Sequence, residues 1–115
     1  MNNIKPTINF EDFTKVDVRI GTIIEVNDFP KAHKPAFQLT IDFGELGIKK
    51  SSAQIKKLYS KDELVGKQVT AIINFEAKQI ASFKSECLIL GVQKGDEVSL
   101  LQVSKQPIKN GEQVS

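Results

Sequence analysis

Residues 16–29, VDVRIGTIIEVNDF, alternate apolar with polar positions (Val16, Val18, Ile20, then Ile24 and Val26), and this run most constrains what the chain can fold into. Successive side chains of a strand point to opposite faces, so the run reads as one long strand with one face in a core. Gly21 interrupts it, and a glycine inside a strand marks a bulge or a tight bend. The segment PKAHKP, residues 30–35, is a turn by composition. AFQLTIDFG then alternates Phe37, Leu39, Ile41 and Phe43, a half-buried strand. GELG, residues 44–47, reads as a hairpin connection, with IKKSSAQI as the returning strand.

Helical features follow in KKLYSKDELVGKQ: Ser60 is placed to cap a short helix, Glu63 stands three residues on, and Gly66 ends it. QVTAIINFEAKQI, with Val69, Ala71, Ile73 and Phe75 alternating, reads as a single strand. ECLILGVQ and EVSLLQV read as two more, separated by the tight turn KGD. The tail SKQPIKNGEQVS has few periodic cues. Closely spaced strands without βαβ alternation argue against a parallel sheet. A long bent first strand, a hairpin, a short helix and two final strands is the element order of the OB-fold, a five-stranded Greek-key barrel. The expected fold is therefore all-β, a five-stranded OB-fold barrel with a short helix and N- and C-terminal extensions, and an open β-sandwich is the rival. At 115 residues the chain is expected to form one domain, residues 1–115, with its core at about 10–103.

The formal net charge is +2, so where the charge sits matters more than its sum. KKSSAQIKK carries Lys49, Lys50, Lys56 and Lys57 with no acid, which is either a basic patch or a solvated lysine-rich turn. The single cysteine, Cys87, lies in an apolar run and reads as a small buried side chain; no intramolecular disulfide can form. The N-terminus lacks the apolar core of a signal peptide, and no run reaches the ~18 apolar residues of a membrane span. A cytoplasmic protein with no membrane insertion is expected.

Catalytic chemistry finds little to stand on. Ser82 and Lys84 could form a nucleophile and base pair, but no glycine-rich turn near them supplies an oxyanion hole. Asp12, Asp17, Asp42 and Glu86 lie on separate elements, and one histidine (His33) with one cysteine gives a zinc site almost no ligands. A non-enzyme without cofactor or metal is expected, which leaves binding. OB-fold ligands lie across the second and third strands, so Ser51, Ser52, Gln54 and the nearby lysines are expected to face a groove. Phe37, Phe43 and Phe75 fall on alternating apolar faces and read as core, while Phe29 and Phe83, beside loops, read as the exposed rings. The cluster of Ser82, Lys84, Ser85 and Glu86 reads as the rim of the groove, with an ordinary solvent loop as the alternative.

Taken in order, DVRIG, IDFG, SSAQI, NF and FKSE resemble the tRNA-binding domain that accompanies several aminoacyl-tRNA synthetases, over about residues 10–103. The narrower resemblance is to the CsaA type, small free-standing bacterial members regarded as export-related chaperones. That resemblance implies a homodimer with the chain termini in its interface, and no cofactor. The apolar residues Ile4, Ile8, Phe10, Ile108 and Val114 of the two terminal segments are the expected contributors. The loop FPKAHKP keeps the proline and alanine of the usual tRNA-binding motif without its aspartates. In KQIASFKSECLIL, Lys78 and Ser85 match, and Glu86 and Cys87 replace a glycine and a methionine. Carried over position by position, the groove residues are Ser51, Ser52, Gln54, Asn74, Phe75, Lys84, Ser85 and Glu86. Gln54 and Asn74 offer donors and acceptors suited to an extended peptide backbone. Ser51 and Ser85 can do either, Lys84 and Glu86 set charge at the mouth, and Phe75 could line an apolar floor. The expected function is a polypeptide-binding chaperone with a role in protein export, a homodimer that takes unfolded or presecretory chains. The alternative is a tRNA or structured-RNA binder, with Lys49, Lys50, Lys56, Lys57 and Lys78 as contacts.

Overall fold

A computed structural model describes residues 3–115; Met1 and Asn2, at the head of the segment expected in a dimer interface, lie outside the described residues. In chain order the strands are β1 (Val18–Asp28), β2 (Phe37–Asp42), β3 (Ile48–Ala53), β4 (Gln68–Ile72), β5 (Lys78–Ile80), β6 (Phe83–Ser85), β7 (Leu88–Ile89), β8 (Gly91–Lys94) and β9 (Glu97–Leu100). Five of them form one antiparallel sheet in the order β3-β2-β1-β4-β7. The sheet curls into a nearly closed barrel, as the OB-fold reading requires. Two hairpins, β5–β6 and β8–β9, stand outside it.

The bend in β1 makes the curl. Its first half, Val18 to Thr22, pairs with β4, and its second half, from Thr22 to Asp28, pairs with β2, with a register shift between Ile23 and Glu25. Gly21 lies just before that shift, where the core presses on the strand. A Cβ there would meet Ile41 Cγ2 at 2.6 Å and Phe43 Cε1 at 2.7 Å. The alternation of β2 turns Phe37, Leu39 and Ile41 inward, where they pack with Ile23, Phe43, Ile55, Leu64 and Val69.

Helix α2 (Lys61–Leu64) forms as expected: the Glu63 N–H donates to Ser60 Oγ, the Ser60 N–H donates to Glu63 Oε1, and Gly66 takes φ +92°. Helix α1 (Phe10–Thr14) was not expected from the sequence. Its signal is the pair Asn9 and Asp12, whose carboxylate accepts the Asn9 N–H at 3.2 Å.

Two expected strands divide. Residues 68–80 were read as one, yet β4 ends at Ile72 and β5 begins at Lys78. Asn74 takes the chain out of the sheet, accepting the Asp17 N–H at 2.9 Å and donating to the Lys15 carbonyl at 2.7 Å, so that it clamps the end of α1 to the barrel. ECLILGVQ divides at Leu90, whose N–H goes to Thr70 and whose carbonyl accepts from Leu101.

The tail, silent in the sequence, is firmly placed. Beyond the reach of β2, the free edge of β1 is covered by residues 111–114: Gly111 N–H donates to Ile20, Ile20 N–H to Glu112, and Val114 N–H to Val18, at 2.8–3.0 Å. An extended segment thereby fills an open strand edge.

Candidate ligand-binding groove

The serine pair of β3 splits between two roles, as adjacent strand residues must. Ser51 points inward and is 1% exposed; its hydroxyl donates to the Cys87 carbonyl at 2.9 Å. It belongs to the barrel seam and not to an open groove, which corrects its expected place. Ser85 and Glu86 also serve the seam. The Ser52 N–H donates to Ser85 Oγ at 3.0 Å, the Lys50 N–H to Glu86 Oε1 at 3.0 Å, and the Glu86 N–H to the Lys50 carbonyl at 2.7 Å. These bonds supply what a regular ladder would supply between β3 and the segment entering β7. Cys87 is buried beside them, and burial, then the Glu86 carboxylate, pushes its thiol up to about 11, so it behaves as the inert apolar residue the sequence suggested.

Ser52 and Gln54 point to the outer face. Gln54 is shared by three adjoining concavities of about 290, 410 and 350 Å³. Around it stand the loop after β1 (His33, Lys34), the β5–β6 hairpin (Lys78, Gln79, Ile80) and the β8–β9 hairpin (Gln93, Asp96). The walls were not among the expected site residues apart from Lys78. Their signal was the pair of turns PKAHKP and KGD, which flank the second and third strands of an OB-fold.

A fourth concavity, of about 510 Å³, adjoins these at Lys78 and Leu88 and collects Phe75, Glu76, Ser85, Glu86 and Cys87. Phe75 is 55% exposed here and not core, because the chain leaves β4 before reaching it. Phe75, Ser85 and Glu86 thus come together, while Asn74 is committed to Lys15 and Asp17. Lys84 is exposed on the outer hairpin.

The expected exposed rings are the reverse of what is found. Phe29 and Phe83 are 6% and 8% exposed and meet at 5.3 Å between centroids, forming a second small core with Ala36. Each loop supplies one ring, and burial of the pair removes both from water.

The lysines are partly answered by acids. Lys56 lies 3.6 Å and Lys61 2.9 Å from the Asp28 carboxylate, and the Lys61 hydrogen bond holds that carboxyl below its ordinary range. Lys57 lies 3.5 Å from Asp96. Lys56 also sits 5.2 Å from the centre of the Phe37 ring. Lys34, Lys49, Lys50, Lys78 and Lys84 have no acidic partner within 4.0 Å among the described residues. No helix of the described residues is long and apolar enough to cross a membrane.

A strongly bent barrel with concavities at the end of β3, walled by the loop after β1 and by two outer hairpins, defines a class of small binding domains. The family described as "Putative tRNA binding domain" matches residues 18–113, and the chain belongs to that family. The methionine–tRNA ligase of Thermococcus onnurineus is 36% identical over 99 residues, 86% of this chain and 13% of the ligase. The chain thus spans about an eighth of the length of the ligases it matches. Two solved structures match along their whole length. The chaperone CsaA from Bacillus anthracis is 48% identical with a TM-score of 0.90, covering 96% of this chain and 100% of that one. The CsaA chaperone protein from Picrophilus torridus is 47% identical with a TM-score of 0.88, covering 95% and 100%.

Proposed function

We propose that this chain is a non-catalytic chaperone with a role in protein export, a cytoplasmic homodimer that holds unfolded or presecretory polypeptides. The observation that carries this reading is the two-way coverage with the CsaA chaperones, at 48% and 47% identity. The groove chemistry supports it. Ser52 and Gln54 offer donors and acceptors on the outer face, and Phe75 and Leu88 present apolar surface close by. Ser85 and Glu86 line the same concavity as Phe75, Lys84 stands exposed beside Ser85, Asn74 fixes the turn that brings Phe75 out, and Ser51 lies beneath them in the seam. For the dimer, Ile4, Ile8 and Phe10 are exposed, whereas Ile108 and Val114 are half-buried.

The second reading is tRNA or structured-RNA binding, favoured by the family and by Lys34 and Lys78 standing beside the groove without acidic partners. Lys49, Lys50, Lys56 and Lys57 would extend that cationic surface. A labelled unfolded presecretory polypeptide, titrated by fluorescence anisotropy with tRNA as competitor at two salt concentrations, separates the two. Polypeptide binding that is insensitive to salt and to tRNA, with a negative heat-capacity change, is the expected result. Binding of tRNA alone, with an affinity falling about 0.7–0.9 log units per log unit of salt for each phosphate neutralised, would replace the first reading with the second.

A further inference from the structure

One of the three concavities at Gln54 is the place where the barrel fails to close. Along Lys50 to Ser52 the outer edge of β3 is occupied by Ser85 and Glu86. Past Ser52 the lips part around about 410 Å³, with Ser52, Gln54 and Ile55 on one side and Leu88, Ile89 and Gly91 on the other.

The direction of the main-chain groups shows what the gap lacks. In an antiparallel ladder, successive residues face alternate neighbours. Leu90 donates to Thr70, so Leu88 and Leu90 face β4, and Ile89 between them faces the gap. Lys50 and Ser52 face away from β2, as their bonds to Glu86 and Ser85 show, and Gln54 continues that set. Neither the N–H nor the C=O of Gln54 has a partner among the described residues, and the Ser52 C=O receives only a 3.5 Å contact from Ser51. Both lips therefore carry main-chain groups without ladder partners.

We infer that an unfolded polypeptide docks in this gap as an added strand, pairing its main chain with the β3 edge at Gln54 and covering Ile89. This deepens the polypeptide-binding reading and rests on it. Strand addition draws affinity from main-chain bonds, which every client sequence carries, so it suits a binder of many unfolded chains. The barrel already uses the same device, because residues 111–114 cover the other open edge, on β1. Those residues are committed there and cannot be the occupant. A nucleic-acid backbone brings acceptors and only hydroxyl donors, which leaves the carbonyls of Ser52 and Gln54 poorly matched.

The test is amide hydrogen exchange of the intact protein, read by NMR, with and without a reduced, carboxymethylated polypeptide that cannot fold. Slowing of the Gln54 and Ile89 amides by about tenfold or more on binding is expected for hydrogen bonds formed there. A short unfolded peptide carrying alternate N-methyl groups should bind about fivefold to tenfold more weakly than its unmethylated parent. Binding with exchange slowed only around Phe75 and Glu76, outside the gap, overturns the added strand and leaves the chaperone reading standing. Absence of polypeptide binding, with or without tRNA binding, overturns both.

Discussion

The Ser51 hydroxyl donates to the Cys87 carbonyl across 2.9 Å, and that bond joins β3 to the chain entering β7 at a point where no ladder runs. Ser51→Ala removes the donor and leaves a buried carbonyl without its partner, so it should cost about 1–3 kcal/mol in urea unfolding. Ser52→Ala, one residue along on the outer face, should change stability by no more than about 0.5 kcal/mol. Equal losses at the two positions would contradict the placement of Ser51 in the seam.

Gly21→Ala places a methyl against Ile41 and Phe43 in β1. Both neighbours are fully buried and cannot swing outward, so overpacking of about 1–3 kcal/mol is expected, read as a lowered thermal midpoint. An unchanged midpoint would mean that β1 does not need its close approach to the core.

Among the described residues Ala81 is the non-glycine residue with positive φ, +53°, at the tip of the β5–β6 hairpin. The left-handed conformation costs an L-residue ~1–2 kcal/mol, and the extra freedom of glycine in the unfolded chain takes back part of that. Ala81→Gly should therefore stabilise the protein by about 0.5–1 kcal/mol, as a rise in the urea midpoint.

The barrel was legible because β1 and β2 alternate cleanly and because Gly21 breaks the pattern where β1 passes closely over Ile41 and Phe43, just before its register shift. The α2 signals, Ser60, Glu63 and Gly66, are local and worked for that reason. Alternation misled at Phe75, which keeps the parity of Val69, Ala71 and Ile73 although Asn74 has already turned the chain away. Phe29 and Phe83 are 54 positions apart in the sequence, so their contact could not be read from either neighbourhood. In the groove, Ser52 and Gln54 were reached by topology. Ser51 was grouped with them although its parity already turns it inward.

Cys87 gives a pH dependence with a definite sign. Burial and Glu86 raise its thiol from the ordinary 9.0 to about 11, so between those values the folded chain keeps a proton that the unfolded chain releases. Stability contributed by the neutral thiol is complete below pH 9 and is lost as pH rises toward 11. The measurement is the difference between the native chain and Cys87→Ala in urea midpoints across pH 8–11, which isolates the thiol from every other group. The native chain should show an additional fall that the variant lacks.

One buried side chain, Gln68, anchors the tail ahead of the segment that covers β1. Gln68 donates its amide to the Ile108 carbonyl and, at 3.1 Å, to Asn110 Oδ1, and it accepts the Ile108 N–H at 2.9 Å. Asn110 Oδ1 in turn accepts the Thr22 hydroxyl at 2.8 Å, which ties the same segment to β1. Gln68→Ala releases two main-chain groups of Ile108 at once and should cost about 2–3 kcal/mol. The more diagnostic outcome is local: amide exchange at Ile20, Gly111 and Val114 should accelerate far more than at Leu39 or Ile41, because residues 111–114 would then detach from the β1 edge ahead of global unfolding. Uniform acceleration would show that the tail and the barrel open as one cooperative unit, with Gln68 stabilising both equally.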